Sequence, residues 1–207
     1  MASTQNQTIA DAVTHDHREM WAYYDEYVRN AGNVDAQTRW ANQLTWEIAR
    51  HSIGEELVMY PMFEDKLGEK GKLMAAQDRQ DHQYVKDRLY KLERMTPGSE
   101  EHTALLKDVI DHLKEHATKE EREDLPALTS ALSSNQSLSA GKSFMRTKKF
   151  VPTRSHPSAP NKPPFETLAG MLAAPMDKLK DAFGKFPSAE ELESVTARTA
   201  SQVPTIN

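Results

Sequence analysis

Two stretches of the chain, HSIGEELVMYP from His51 to Pro61 and HATKEEREDLP from His116 to Pro126, share one arrangement. Each has a carboxylate four residues after a histidine, a second carboxylate beside it and a proline six residues beyond the first. Residues four apart on a helix are neighbours on one face, so His51 with Glu55, and His116 with Glu120, each aim an imidazole and a carboxylate in one direction. These are the donors that borderline-hard metal ions take. In a core without metal the same groups would have to satisfy one another by hydrogen bonds, since burying them unpaired costs several kcal/mol each.

The two stretches lie 65 residues apart, and that offset carries more of the chain onto itself. It superposes Asp16 on Asp81, His17 on His82, Glu56 on Glu121 and Pro61 on Pro126. Apolar positions follow: Met20, Tyr24 and Tyr27 fall on Val85, Leu89 and Leu92, while Leu44 and Ile48 fall on Val109 and Leu113. The chain is thus two copies of a helix pair. Each histidine shares a stripe with these apolar residues, so all four faces turn inward. Four helices direct His17, His51 with Glu55, His82, and His116 with Glu120 at one core. Four nitrogen donors and two carboxylates able to bridge suit a pair of octahedral ions, iron or manganese, better than structural zinc with its four thiolate- or imidazole-rich ligands.

The elements that must position these groups are legible as long runs of apolar residues at three- and four-residue spacing from residue 8 to 131. NAGNVD at 30–35, LGEKGK at 67–72 and TPGSEE at 96–101, with Ser99 as an N-cap, divide them into four. Short connections favour antiparallel neighbours, which predicts an all-α, up-down-up-down four-helix bundle. From 132 to 164 the composition changes: SSNQSLSAGKS reads as a linker, and KKFVPTRSHPSAPNKPP as an extended arm, with eight of the eleven prolines lying beyond residue 150. From 165 to 207 a shorter amphipathic extension is expected, with Leu168, Met171, Leu172, Leu179 and Phe183 on an apolar stripe that Pro175 interrupts. This tail is expected to pack back on the bundle, with docking on a protein partner or a membrane surface as the alternative.

Composition sets outer bounds. The absence of cysteine removes disulfides, thiolate metal sites and a cysteine nucleophile, and suits a reducing compartment. A net charge of −5 argues against a general nucleic-acid binder. The opening MASTQNQTIADAV has no apolar run of signal-peptide length, and no segment reaches the length of a membrane span. A cytoplasmic protein is expected.

HDHREMWAYYDEY, HSIGEELVMYP, DHQYVKDRLYKL and HATKEEREDLP together resemble the hemerythrin-like HHE cation-binding domains over roughly residues 10–130. The resemblance implies a four-helix bundle with a non-haem di-iron centre whose ligands are His17, His51, Glu55, His82, His116 and Glu120, with Glu55 and Glu120 as the bridges. Oxygen-carrying members have a second histidine four residues after the one in the third helix; here that position is Lys86. This departure puts reversible oxygen carriage in doubt and leaves a coordination position for peroxide, oxygen or nitric oxide, or for metal sensing and buffering.

The neighbours of these residues are expected in plainer roles. His15 faces away from His17 and is read as solvated; His112 and Glu47 are read as a polar layer beside the site, and Glu56 and Glu121 as supports or solvated groups. The tryptophans and tyrosines pack, His102 and His156 lie at the surface, and Pro61 and Pro126 bend or end their helices. No general acid or base stands apart from the ligand set. Three functional readings stay open: an iron-, oxygen- or peroxide-binding or sensing protein, a di-iron oxidoreductase, and a metal-free helical interaction module that uses its tail.

Overall fold

The computed structural model describes residues 7–158, 165–182 and 184–201. Helix α1 (Ile9–Arg29) opens on a capping box, in which the Thr8 hydroxyl accepts from the Asp11 N–H and the Asp11 carboxylate accepts from the Thr8 N–H. Helix α2 (Val34–Gly54) starts at Asn33, whose side chain accepts from the Ala36 N–H. It passes without a break into a π-helical turn, π1 (Glu55–Met59), and then into α3 (Tyr60–Leu92). Gly68, at φ +62°, kinks α3 so that its first part completes the second bundle helix and its remainder is the third. Gly71 lets the two parts pass: a Cβ there would lie 1.8 Å from the Phe63 carbonyl oxygen. The fourth bundle helix repeats the second, as α4 (Glu100–Lys119), a π turn π2 (Glu120–Asp124) and α5 (Leu125–Ala131). The architecture is the expected all-α bundle, with no strand among the described residues.

The prolines act differently from expectation. Pro61 and Pro126 neither end nor sharply break their helices; each follows a π turn and the helix goes on. A proline lacks the N–H of an α-helical turn, and its ring meets the carbonyl four residues back. The chain widens for one turn instead, with the Tyr60 N–H donating to the Glu55 carbonyl and the Leu125 N–H to the Glu120 carbonyl. Such turns are rare and recur at functional sites. Here both begin at the carboxylates singled out above.

The apolar core falls into two layers. One includes Met20, Tyr27, Leu44, Ile48, Val85, Leu89, Leu106 and Val109; the other includes Ile9, Val13, Met59, Tyr60, Phe63, Leu125, Leu128 and Phe144. Each large side chain so buried contributes about 1.5–3 kcal/mol. On every bundle helix the histidine of interest lies between the residues given to one layer and those given to the other. The polar centre is therefore sealed above and below by hydrocarbon.

Beyond residue 131 the structure departs from the expected linker. Ser134–Thr147 forms helix α6, started by a capping box between Ser133 and Gln136, and it packs on α1, α2 and π1. Its buried face is Ser137, Ala140, Gly141 and Phe144, a face of small residues whose composition resembles that of a linker. Helices α7 (Phe165–Ala182) and α8 (Ala189–Ser201) follow, and Pro175 sits inside α7 without ending it. The expected stripe of Leu168, Met171, Leu172, Leu179 and Phe183 lies outside the described side chains. Where side chains are described, the tail contacts the bundle. Val195 joins the core, and Arg39 pairs with Glu191, Lys185 with Asp35 and Arg198 with Glu26. Among the described residues no helix is long and apolar enough to cross a membrane.

Candidate metal centre

The four histidines and two glutamates converge. His17, His51 and Glu55 offer donor atoms within 4.8 Å of one another, and so do Glu55, His82 and His116. Glu55 places Oε1 3.2 Å from His51 Nε2 and Oε2 3.3 Å from His82 Nε2. Glu120 places Oε1 3.6 Å from His116 Nε2 and Oε2 3.6 Å from His17 Nε2. Each carboxylate thus spans one histidine from each half of the repeat. The imidazoles pair within halves: His17 and His51 have ring centroids 4.9 Å apart at 65°, and His82 and His116 5.0 Å apart at 68°. The 65-residue offset has become an approximate two-fold arrangement about the glutamates.

The outward nitrogens carry the second half of the design. His51 Nδ1 donates to Asp16 (3.1 Å), His17 Nδ1 to Glu121 (2.9 Å) and His82 Nδ1 to Glu56 (2.9 Å), while His116 Nδ1 lies 3.5 Å from Asp81. An ionised carboxylate can only accept, so Nδ1 of His17, His51 and His82 bears a hydrogen and Nε2 is turned inward. Carboxylates that orient imidazoles in this way are a recurrent support of metal-binding histidines.

The inward atoms test whether a cation fits. His17 Nε2, His116 Nε2 and all four carboxylate oxygens of Glu55 and Glu120 are buried and lack a hydrogen-bonding protein group. A polar network that served the core alone would pair them. Burial, and then Glu55 beside it, raise the Glu120 carboxyl well above the usual carboxylate range. Glu55 is held well below that range: burial opposes this, but His51 and then His82 outweigh it. Buried carboxylates pushed apart in this way are donors whose charge a bound cation would neutralise. The donor set therefore fits a metal cation, with His17 and His51 on one side of the glutamates and His82 and His116 on the other.

Several groups that spacing left unassigned stand around this centre. The Tyr60 hydroxyl is 3.1 Å from His82 Nε2, fully buried, at the residue that closes π1; its position in the repeat is taken by Leu125 in the other half. Lys86 does not face the centre: its Nζ donates to both oxygens of Glu56, at 2.9 and 2.7 Å, and so backs the support of His82. Asp78 is fully buried and held by Lys119 at 2.8 Å. Lys148, from the end of α6, is bonded to both Asp16 and Glu47.

The neighbours separate as follows. His112 is outside the donor set, stacked on Tyr84 and 3.5 Å from Asp81; His15 is half-exposed and pairs with Glu19. His102, expected at the surface, is buried against the Tyr27 hydroxyl at 3.0 Å, and burial depresses its pKa to about 4. His156 is partly exposed and contacts Asp177 at 2.9 Å.

A helical bundle that closes four histidines and two glutamates between apolar layers defines a cation-binding protein of the carboxylate–histidine class. The hemerythrin HHE cation-binding domain matches residues 8–128, more than half of the chain, and the chain belongs to that family. A hemerythrin-like protein of Schizosaccharomyces pombe is 51% identical over 179 residues, covering 86% of this chain and 88% of that protein. No solved structure matches the chain significantly. Membership implies a bound metal cation, typically iron.

Proposed function

We propose that the chain is a non-haem di-iron protein that binds or senses iron, oxygen or peroxide, with His17, His51, Glu55, His82, His116 and Glu120 as ligands. The observation that carries this reading is the set of inward donor atoms, above all both oxygens of Glu120 with His17 Nε2 and His116 Nε2, that are buried without a hydrogen-bonding protein group. Bound iron would supply Lewis acidity and one-electron chemistry at the centre. The protein's own work is to fix the tautomers of His51, His82 and His17 through Asp16, Glu56 and Glu121, to set Asp81 beside His116, and to exclude water with the two apolar layers; Glu55 and Glu120 would bridge the metals. Manganese suits the same donors, and availability decides between the two. A reducing, cytoplasmic setting agrees with the absence of cysteine.

Metal analysis of protein purified from iron-replete cells tests this reading. Two equivalents of iron per chain are expected, with loss of metal in His51→Ala and Glu120→Ala. A folded, metal-free wild type would favour the interaction module instead.

One observation favours turnover as a second reading. The Tyr60 hydroxyl beside His82 Nε2 is a proton-bearing group at the edge of the centre, on one half only. If this residue serves chemistry, the iron-loaded protein consumes peroxide or oxygen, and Tyr60→Phe slows that consumption while keeping both metals. An unchanged rate removes the role.

A further inference from the structure

The two halves of the centre have the same ligands, yet the lysine behind each comes from a different part of the chain. In the His82–His116 half lysines of the bundle itself serve: Lys86 on Glu56, the support of His82, and Lys119 on Asp78 beside His116. The 65-residue offset puts Trp21 at the position matching Lys86 in the His17–His51 half, so the duplication supplies no equivalent of that lysine there. The cation on Asp16, the support of His51, is Lys148, which lies just past α6 and outside residues 8–128 matched by the family.

Lys148 is held in place from several sides. It is only 4% exposed, and its Nζ is bonded to Asp16 and to Glu47, which Arg50 also holds at 2.6 Å. Asp16, Glu19 and Glu47 bring carboxylate oxygens within 4.8 Å of one another, a grouping that taken alone would suit a cation. The lysine ammonium takes that place. One turn earlier on α6, Phe144 sets its ring edge-on to the His51 imidazole, with centroids 5.8 Å apart at 87°. It lies so close over Gly54 that a Cβ there would be 2.8 Å from Phe144 Cε2. Gly141 brings α6 against the backbone of Gln7 and Thr8, where a Cβ would lie 2.3 Å from the Gln7 carbonyl oxygen. The equivalent support in the other half, Asp81, meets Gln77 at 3.3 Å and His112 at 3.5 Å in place of a lysine.

We propose that α6 is a clamp on one metal position. Lys148 acts as a positioning residue: by fixing Asp16 it orients His51, so that the extension retains the metal at His17–His51, while the metal at His82–His116 is retained by the bundle alone. The proposal rests on the two-metal reading above. It makes the centre inequivalent in kinetics although it is nearly symmetric in ligands, and it gives the segment after the bundle a function tied to the metal.

The test uses the full-length, iron-loaded protein and counts the metal retained during challenge with a chelator. Loss of a group that supports a metal ligand lowers metal affinity about 10–100-fold. Lys148→Met is therefore expected to release one of two equivalents faster by a factor of that order and to leave the other at the wild-type rate. Lys148→Arg should restore retention. Should Lys148→Met fail to fold, Lys148→Met combined with Glu47→Gln removes one of the two carboxylate charges that faced the lysine and allows the same measurement. In a His116→Ala background, where the remaining metal is expected at His17–His51, Lys148→Met should empty the site; in a His17→Ala background it should not. A folded Lys148→Met protein that holds both equivalents as the wild type does, or loses both equally fast, overturns the clamp alone. A wild type that takes up no metal overturns the two-metal reading and the clamp with it.

Discussion

Replacing Glu120 by leucine should stabilise the metal-free protein while abolishing its metal site. Glu120 is fully buried, neither oxygen has a hydrogen-bonding partner, and burial, and then Glu55, raise the carboxyl well above the usual carboxylate range. An unmet buried polar atom costs about 1–3 kcal/mol, and an apolar side chain of similar size removes that cost. The changed shape returns up to about 1 kcal/mol of misfit, leaving a net gain of about 1–2 kcal/mol from the middle of that range. For a chain of this length each kcal/mol moves the melting temperature by roughly 2–4 °C, so the chelator-treated Glu120→Leu protein should melt about 2–8 °C above chelator-treated wild type. With iron added the order should reverse, because only wild type gains binding energy. Thermal unfolding by circular dichroism, with and without chelator, reads both effects. A metal-free Glu120→Leu protein that melts several degrees below wild type would show that Glu120 serves the core and would refute the reasoning.

Other expectations can be checked alongside. Asp81→Asn should lower metal affinity about 10–100-fold in chelator competition with little change in fold, because it weakens the group that faces His116 Nδ1. Metal uptake should release protons and strengthen as pH rises, since Glu120 must give up a proton held by its raised pKa; titration calorimetry in buffers of different ionisation enthalpy measures this. His102 should contribute a pH dependence of its own. Its folded pKa is about 4 against 6.5 for the free side chain, so the unfolded chain takes the proton first; its contribution is whole above pH 6.5 and is lost as pH falls towards 4. Between pH 7 and 4.5 wild type should lose about 2 kcal/mol more stability than His102→Leu in denaturant unfolding. Gly54→Ala should push Phe144 off α2 and cost about 1–3 kcal/mol by the same assay.

The sequence made the bundle and the six inward donors legible because both obey fixed periods. The four-residue step of a helix aligned His51 with Glu55, and the 65-residue duplication picked His17 over His15. The duplication also matched Asp16 to Asp81 and Glu56 to Glu121, but only the coordinates show that these pairs reach across helices to the imidazoles. What remained hidden lacks such a period. Helix α6 buries Ser137, Ala140 and Gly141, which make little apolar pattern; the Ser133–Gln136 capping box was its one local signal. His102 is buried by a contact with Tyr27, 75 residues away in sequence. The π turns depend on a proline at a set distance from each glutamate, a pattern visible in the chain whose geometric outcome is a widened turn.

The central claim is that Glu55 and Glu120 join two metal ions into one centre. Mössbauer spectroscopy of the oxidised protein reconstituted with ⁵⁷Fe, alongside an iron count, tests it most directly. Two equivalents of high-spin ferric iron, coupled to a diamagnetic ground state, are the predicted result. One equivalent with a paramagnetic mononuclear signal, or no iron bound by folded protein, would contradict it.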